Sequence, residues 1–459
     1  MIWEKIMTEK IYIMTLGCPK NQVDSRQMMG MLKQDGFLTV NTPQAAEIII
    51  LNTCGFVDSA KEESIAAILE MARFKTSGKC RKLVVVGCLV QKYGEELAEA
   101  LPEVDLFLGT ADWTRMAELL RQPAASQACR VCIGSPEMYL FRNEWALNQP
   151  EESHTGYVKI ADGCDHRCTF CVIPSLRGAY RSRPKADIVE EVQARAKAGL
   201  KEAILVAQDT GCYGKDLEPA ETLASLIRAL CEVQELQWIR VMYCYPEAVT
   251  DELLAAMRHE KVCPYIDMPI QHVSDPVLKG MARPLSSQGL KNKLRKIREA
   301  LPNVFIRTTL MVGFPGETQE QFDELLNFLE AFKIERAGFF AFSPQPGTKA
   351  ESMEDQVPEE EKERRLALAQ NVQSQILAQR EASLVGQTVS VMVDGPAETH
   401  ESRDGMMLWE GRTIWDAPEI DGYVSFRARR TLKPGDLVKV LVTHSQDYTL
   451  LGEIIDEPC

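Results

Sequence analysis

Positive charge is in deficit along this chain: 52 Lys and Arg stand against 66 Asp and Glu, a formal charge of −14. That balance argues against coating a polyanion through overall charge, although a local basic groove is compatible with it. Long apolar runs are also missing. The longest, such as Lys82-Leu83-Val84-Val85-Val86-Gly87-Cys88-Leu89-Val90, falls far short of the roughly 20 apolar residues that span a bilayer. Met1 to Lys10 has no uninterrupted apolar signal segment. Repeats and low-complexity tracts are absent. These absences point to a soluble cytoplasmic protein with no membrane partner, expected to act as a monomer.

Cysteine, by contrast, is plentiful, with 14 in the 459 residues. Reducing conditions in the cytoplasm disfavour structural disulfides, so metal or redox chemistry is the first reading to test. Apolar stretches at Ile11–Leu16, Ile48–Leu51 and Leu83–Val86 alternate with amphipathic stretches at Ser25–Gln34, Ser59–Phe74 and from near Val90. This pattern predicts a parallel α/β domain over residues 8–145. Cys18, Cys54 and Cys88 each follow one of its strands, and the carboxyl ends of parallel strands form one rim where ligands bind, so the three should converge. A polar linker from Asn148 to His154 follows.

The alternation then resumes with candidate strands Tyr157–Ile160, Ala203–Ala207, Trp238–Tyr243, Tyr265–Ile270, Val304–Val312 and Ala337–Phe342. Six such units predict an incomplete (β/α)6 barrel over 153–383, closing with one long helix from Pro358 to Ala382. Short alternating strands with Gly, Pro and Asp turns fill 384–459, as in a small antiparallel β-barrel. That last segment carries 7 basic and 13 acidic residues. The fold class is therefore α/β, with the small barrel appended through the helix.

The strongest chemical motif is Cys164-Asp165-His166-Arg167-Cys168-Thr169-Phe170-Cys171, on a loop after a strand. Three thiolates can hold three irons of a 4Fe–4S cluster and leave the fourth iron open. A ligand with an amine and a carboxylate can chelate that iron, and an electron passed into a sulfonium breaks a carbon–sulfur bond, which is the logic of S-adenosylmethionine as a radical cofactor. A structural zinc site, the competing reading, needs four closed ligands. His166 reads as a neighbour of the ligands rather than as one of them.

Gly163-Cys164 through Cys171, followed by Ile173-Pro174, Arg177-Gly178 and Ser182-Arg183-Pro184, resembles the loop of the radical S-adenosylmethionine methylthiotransferases. Leu16-Gly17-Cys18-Pro19-Lys20-Asn21, Asn52-Thr53-Cys54 and Val86-Gly87-Cys88 are similar to that family's second-cluster motifs, and the terminal barrel resembles its TRAM domain. Cys18-Pro19-Lys20-Asn21, Tyr243-Cys244-Tyr245-Pro246, Asp267–His272 and Arg307-Thr308-Thr309 are similar to the branch that methylthiolates an aspartate of small-subunit ribosomal protein S-twelve. Arg26 departs from the Glu usual after Asp24-Ser25.

The resemblance implies two 4Fe–4S clusters, one on Cys164, Cys168 and Cys171 and one on Cys18, Cys54 and Cys88. It also implies S-adenosylmethionine as methyl and radical source, and an electron donor such as flavodoxin or ferredoxin. Phe170, Gln208, Asp209, Gly313 and Gly316 are the expected cofactor-binding residues, since Gln208 and Asp209 end one predicted strand and Gly313-Phe314-Pro315-Gly316 ends another. Glu317 alternatively serves the next helix's start. Gln271 and His272, ending the fourth strand, face substrate or cofactor, or else make a structural hydrogen bond. Cys129 and Cys132 read as reduced bystanders. Two other functions remain open: methylthiolation of a tRNA adenosine, disfavoured by the acidic terminal barrel, and an iron–sulfur carrier role, which leaves the radical-cofactor site unexplained.

Overall fold

The computed structural model describes residues 9–122, 130–139, 141–147, 153–397, 406–429, 431–446 and 448–455. Cys129 lies outside them. No helix among the described residues is long and apolar enough to cross a membrane.

Three bodies follow one another. In the first, β1 (Lys10–Thr15), β2 (Leu38–Thr39), β3 (Ile48–Thr53), β4 (Lys82–Gly87), β5 (Leu106–Leu108) and β6 (Val131–Cys132) form one parallel sheet in the order β2-β1-β3-β4-β5-β6. β3 and most of β4 are wholly buried, as expected of strands covered by helices on both faces. The sequence pattern finds β1, β3 and β4. It misses β2, β5 and β6, whose two or three residues are too short to show a period. Helix Pro19–Gln34 starts six residues before the expected Ser25, with Pro19 in its first turn where a missing N–H costs nothing.

The second body holds β7 (Thr155–Lys159), β8 (Ala161–Asp162), β9 (Arg181–Ser182), β10 (Glu202–Val206), β11 (Trp238–Val241), β12 (Val262–Asp267), β13 (Phe305–Val312) and β14 (Arg336–Ala341). Six of these form an open parallel sheet, β14-β13-β12-β11-β10-β7, which is the expected incomplete barrel. β8 and β9 pair antiparallel and clamp the ends of the loop between them. The helix from Glu359 to Ala382 leads out.

The third body is a closed barrel of β15 (Thr388–Pro396), β16 (Met407–Thr413), β17 (Tyr423–Ala428), β18 (Leu437–Gln446) and β19 (Thr449–Ile454). Four of its seams are antiparallel, and the seam of β17 with β19 is parallel.

The sequence suggests attachment of this barrel through the helix alone. The structure corrects that expectation. Arg412 of β16 reaches Glu202 at 2.8 Å, and Arg240 grips the same carboxylate at 2.7 Å. Arg336 meets Asp416 at 2.7 Å, and the Trp415 ring stacks on Phe305 at 4.8 Å. The physical reason is burial: Glu202 and Arg240 end inside the protein, where each charge needs a partner, and the barrel supplies part of it.

Candidate functional site: two cysteine triads facing one barrel rim

Cys18, Cys54 and Cys88 stand immediately beyond β1, β3 and β4, three strands adjacent in the sheet. Each leaves its strand through a tight turn. Gly17 (φ +89°) and Gly87 (φ +104°) take left-handed conformations that a side chain resists, and a Cβ on Gly17 would lie 2.6 Å from Cys54 Cβ. The buried Asn21 amide ties the turns together, donating to Leu16 O at 2.9 Å and Thr53 O at 3.2 Å. Burial pushes the Cys54 thiol up to about 11, with Cys88 and Cys18 adding repulsion between thiolates. Burial raises Cys88 as well.

The second triad sits on the loop from Gly163 to Tyr180. Gly163 (φ +83°) packs so closely on the backbone of Ala179 that a Cβ would fall 2.0 Å from its carbonyl oxygen. Cys164 N donates to Gly178 O, and Thr169 N to Met281 O, so both ends of the loop are pinned. Burial pushes Cys164 and Cys171 each up to about 12, again with the neighbouring thiols contributing. An open cleft of about 650 Å³ borders Cys164, Cys168 and Cys171. Thiols held this way are poor thiolates by themselves; a multivalent cationic centre is what would ionise three at once. Each donor set, three sulfurs without a fourth protein ligand chosen by sequence spacing, fits an iron–sulfur cluster with one open iron better than closed tetrahedral zinc.

Arg177 joins the two triads. It ends the short helix Ile173–Arg177; Val172, just before that helix, and Leu176 within it pack on Cys88. The Arg177 guanidinium donates to Asp24 Oδ2 at 2.6 Å and Asn21 Oδ1 at 2.7 Å. Lys159 is ion-paired with Asp24 and lies 3.4 Å from Asp162. Burial alone would raise the Asp162 carboxyl; Lys159 and Arg177 outweigh it and hold the group well below the usual carboxylate range.

The segment after β11 contributes a tyrosine to each side. Tyr243 (φ +58°) offers its ring face to Lys20, whose Nζ lies 3.1 Å from the ring centroid. Tyr245 stacks on His166 at 4.3 Å and receives Arg283 on its ring at 4.2 Å. Arg283 Nη1 stands 3.7 Å from Cys168 Sγ. Neither tyrosine, nor Arg283, was assigned a role from sequence; the available signal was an aromatic pair flanking a cysteine at a strand's carboxyl end.

The expected cofactor residues divide into two groups. The Gln208 amide donates to Asp162 Oδ1 at 2.9 Å and leaves its buried oxygen without a partner. Phe170 packs edge-on against Phe314 at 6.4 Å, which brings the cysteine loop against the Gly313–Gly316 turn. Both Gly313 (φ +72°) and Gly316 (φ +79°) adopt left-handed conformations. Asp209 is committed internally, to His166 Nε2 at 2.7 Å, the Cys212 thiol at 3.1 Å and Gly211 N at 2.9 Å.

Glu317 is wholly enclosed. It accepts from Gly313 N and from Phe314 N, and faces Arg365 at 3.4 Å and His272 Nε2 at 3.7 Å. It thus shapes the glycine turn, beyond the helix-start role considered for it. His272 is fully buried, with Nδ1 accepting from Ser274 N at 3.0 Å. Gln271 (φ +74°) bridges by its backbone to Thr309 and Met311 and leaves its side-chain oxygen unpartnered.

Comparison with known proteins adds to this geometry. A family model described as the radical SAM superfamily matches residues 158–329, one described as uncharacterized protein family UPF0004 matches 10–109, and one described as the TRAM domain matches 385–455. The chain is 42% identical over 449 residues to the ribosomal protein uS12 methylthiotransferase RimO of Citrifermentans bemidjiense, covering 98% of this chain and 99% of that protein. It is 43% identical over 460 residues to the protein of that name from Heliobacterium modesticaldum, covering 99% of this chain and 97% of that one.

Among solved structures, the radical S-adenosylmethionine methyltransferase TsrM from Kitasatospora setae, with cobalamin and a [4Fe-4S] cluster bound, superposes with a TM-score of 0.56 at 13% identity. The match covers 75% of this chain and 77% of that one, a likeness of fold.

Proposed function

The chain belongs to the RimO family of radical S-adenosylmethionine methylthiotransferases, and from that premise we propose that it replaces a hydrogen on the β-carbon of an aspartate in ribosomal protein uS12 with a methylthio group. The observation that supports this best is the pairing of two partly buried cysteine triads on either side of the Tyr243–Tyr245 segment. Each half of the reaction would use its own cluster, one on each of two bodies of the chain. Cys164, Cys168 and Cys171 would hold a 4Fe–4S cluster that would pass the electron cleaving S-adenosylmethionine, and Cys18, Cys54 and Cys88 one whose open iron would present the sulfur.

The chain's own residues do the rest. Gln208 offers a buried amide oxygen to the amine or ribose of the cofactor. Gly313 and Gly316 let the backbone approach it closely. Arg283 sets a fixed positive charge beside Cys168. Val172 and Leu176 pack on Cys88 and hold the cysteine loop against the first triad. A carbon-bound hydrogen with no leaving group and little acidity is beyond side-chain acid–base chemistry, which is why a radical is required.

The chain is assigned as three domains, 8–145, 153–383 and 384–459. It acts in the cytoplasm as a monomer, taking electrons from a carrier such as flavodoxin or ferredoxin. The test is to incubate anaerobically reconstituted protein with uS12, S-adenosylmethionine and a reductant, then weigh uS12 and its peptides. One methylthio group on a single aspartate is expected. Methylthiolation of tRNA with uS12 untouched would replace this reading.

A further inference from the structure

Several buried cations among the described residues are paired with carboxylates. Lys159 and Arg177 hold Asp24, Arg240 holds Glu202, and Arg412 holds Glu202 and Asp394. Lys20 differs: the residue is 8% exposed, and among the described residues its Nζ has no carboxylate partner and rests on the face of Tyr243. The Cys18 thiol, two residues away and assigned to a cluster, is the largest acidic influence on it, and the carboxylates near it are already engaged. Asp267 accepts from Arg307 at 2.9 Å and from Tyr243 N at 3.0 Å. Asp162 accepts from Gln208 and Gly163 N and sits beside Lys159 and Arg177. A largely enclosed ammonium without a carboxylate partner is placed to receive an anion that arrives beside it.

Its position says which anion. Lys20 lies two residues after Cys18, in the first turn of helix Pro19–Gln34, and covers the carboxyl end of β11. Two residues past Tyr243, Tyr245 stands beside the other triad: its ring stacks on His166 of the cysteine loop and carries Arg283, whose Nη1 lies 3.7 Å from Cys168 Sγ. A substrate carbon reached from both triads would lie near this tyrosine pair, and so near the amine that rests on Tyr243. In the reaction proposed above that carbon is the β-carbon of an aspartate, and the carboxylate is bonded directly to it.

We propose that Lys20 receives the side-chain carboxylate of the target aspartate, selecting aspartate over asparagine and fixing its β-carbon between the two triads. This assignment rests on the uS12 reading.

The test is equilibrium binding of two forms of uS12, with the target aspartate intact or changed to asparagine, to the reconstituted enzyme and to its Lys20→Met variant. Methionine keeps the alkyl packing on Tyr243. The wild-type enzyme should bind the aspartate form about tenfold to a hundredfold more tightly, the worth of a charge-assisted contact. Lys20→Met should bind both forms equally, at the weaker level, with iron content and S-adenosylmethionine affinity unchanged.

Equal binding of the two forms by wild-type enzyme overturns the assignment without recourse to any variant. So does undiminished discrimination by Lys20→Met. A fall in S-adenosylmethionine affinity with discrimination intact would assign the amine to the cofactor's carboxylate instead. If the wild-type enzyme leaves uS12 unmodified in the mass measurement, the uS12 reading itself fails and takes this assignment with it.

Discussion

At the residue scale, the cysteines depend on neighbours that carry no chemistry. Gly17 shows this most sharply, because its left-handed backbone and the 2.6 Å approach of a built Cβ to Cys54 leave no room for a methyl group. Gly17→Ala should open the first triad. After reconstitution, iron should fall from about eight per chain to about four, while cleavage of S-adenosylmethionine to 5′-deoxyadenosine continues; unchanged iron would contradict the proposed ligand set. Replacing Cys164, Cys168 and Cys171 together by Ala should remove a similar share of iron and abolish that cleavage. The two variants thus separate the triads by opposite losses.

At the scale of elements, the contact between helix Pro19–Gln34 and the short helix Ile173–Arg177 is held by charge. Arg177, 4% exposed, has Asp24, Asp162 and Asn21 around it, so Arg177→Met strands carboxylates inside the protein. Breaking a buried pair this way costs about 3–5 kcal/mol, to be read as a lower urea midpoint and as faster amide exchange in Pro19–Gln34.

Asp162 also sets a pH dependence. Its folded carboxyl is held down, so the stability it contributes is fully present above the ordinary carboxyl value near pH ~4 and drains away as pH falls from there through the depressed folded value. Urea midpoints measured from pH 7 to pH 3 should therefore drop more steeply for the wild-type chain than for Asp162→Asn. Parallel slopes would show that the network does not carry this charge.

At the scale of the whole molecule, the terminal barrel is built into the core. Truncation after Ser383 would leave Glu202 and Arg336 facing space that Arg412 and Asp416 now fill. The shortened chain should melt at a lower temperature than the full chain, in a single scan of each, and should lose affinity for uS12. The acidic excess of residues 384–459 should make the full-length affinity for a lysine- and arginine-rich ribosomal protein fall as salt rises. Affinity independent of salt would remove the electrostatic part of that recognition.

The order of strands and helices, the six-unit open barrel, the terminal barrel and both groups of three cysteines were legible in the sequence. Hydrophobic period and cysteine spacing are local properties, and a cysteine just past a parallel strand has only one rim to stand on. Strands of two or three residues escaped, since two residues carry no period. What the tertiary structure alone decided is how the bodies meet. Lys20 over Tyr243, Arg177 against Cys88 and Asp24, and Arg412 on Glu202 join residues more than 80 positions apart. Such pairs leave no trace in local pattern; they arise because charges enclosed by packing must find partners wherever the fold brings them.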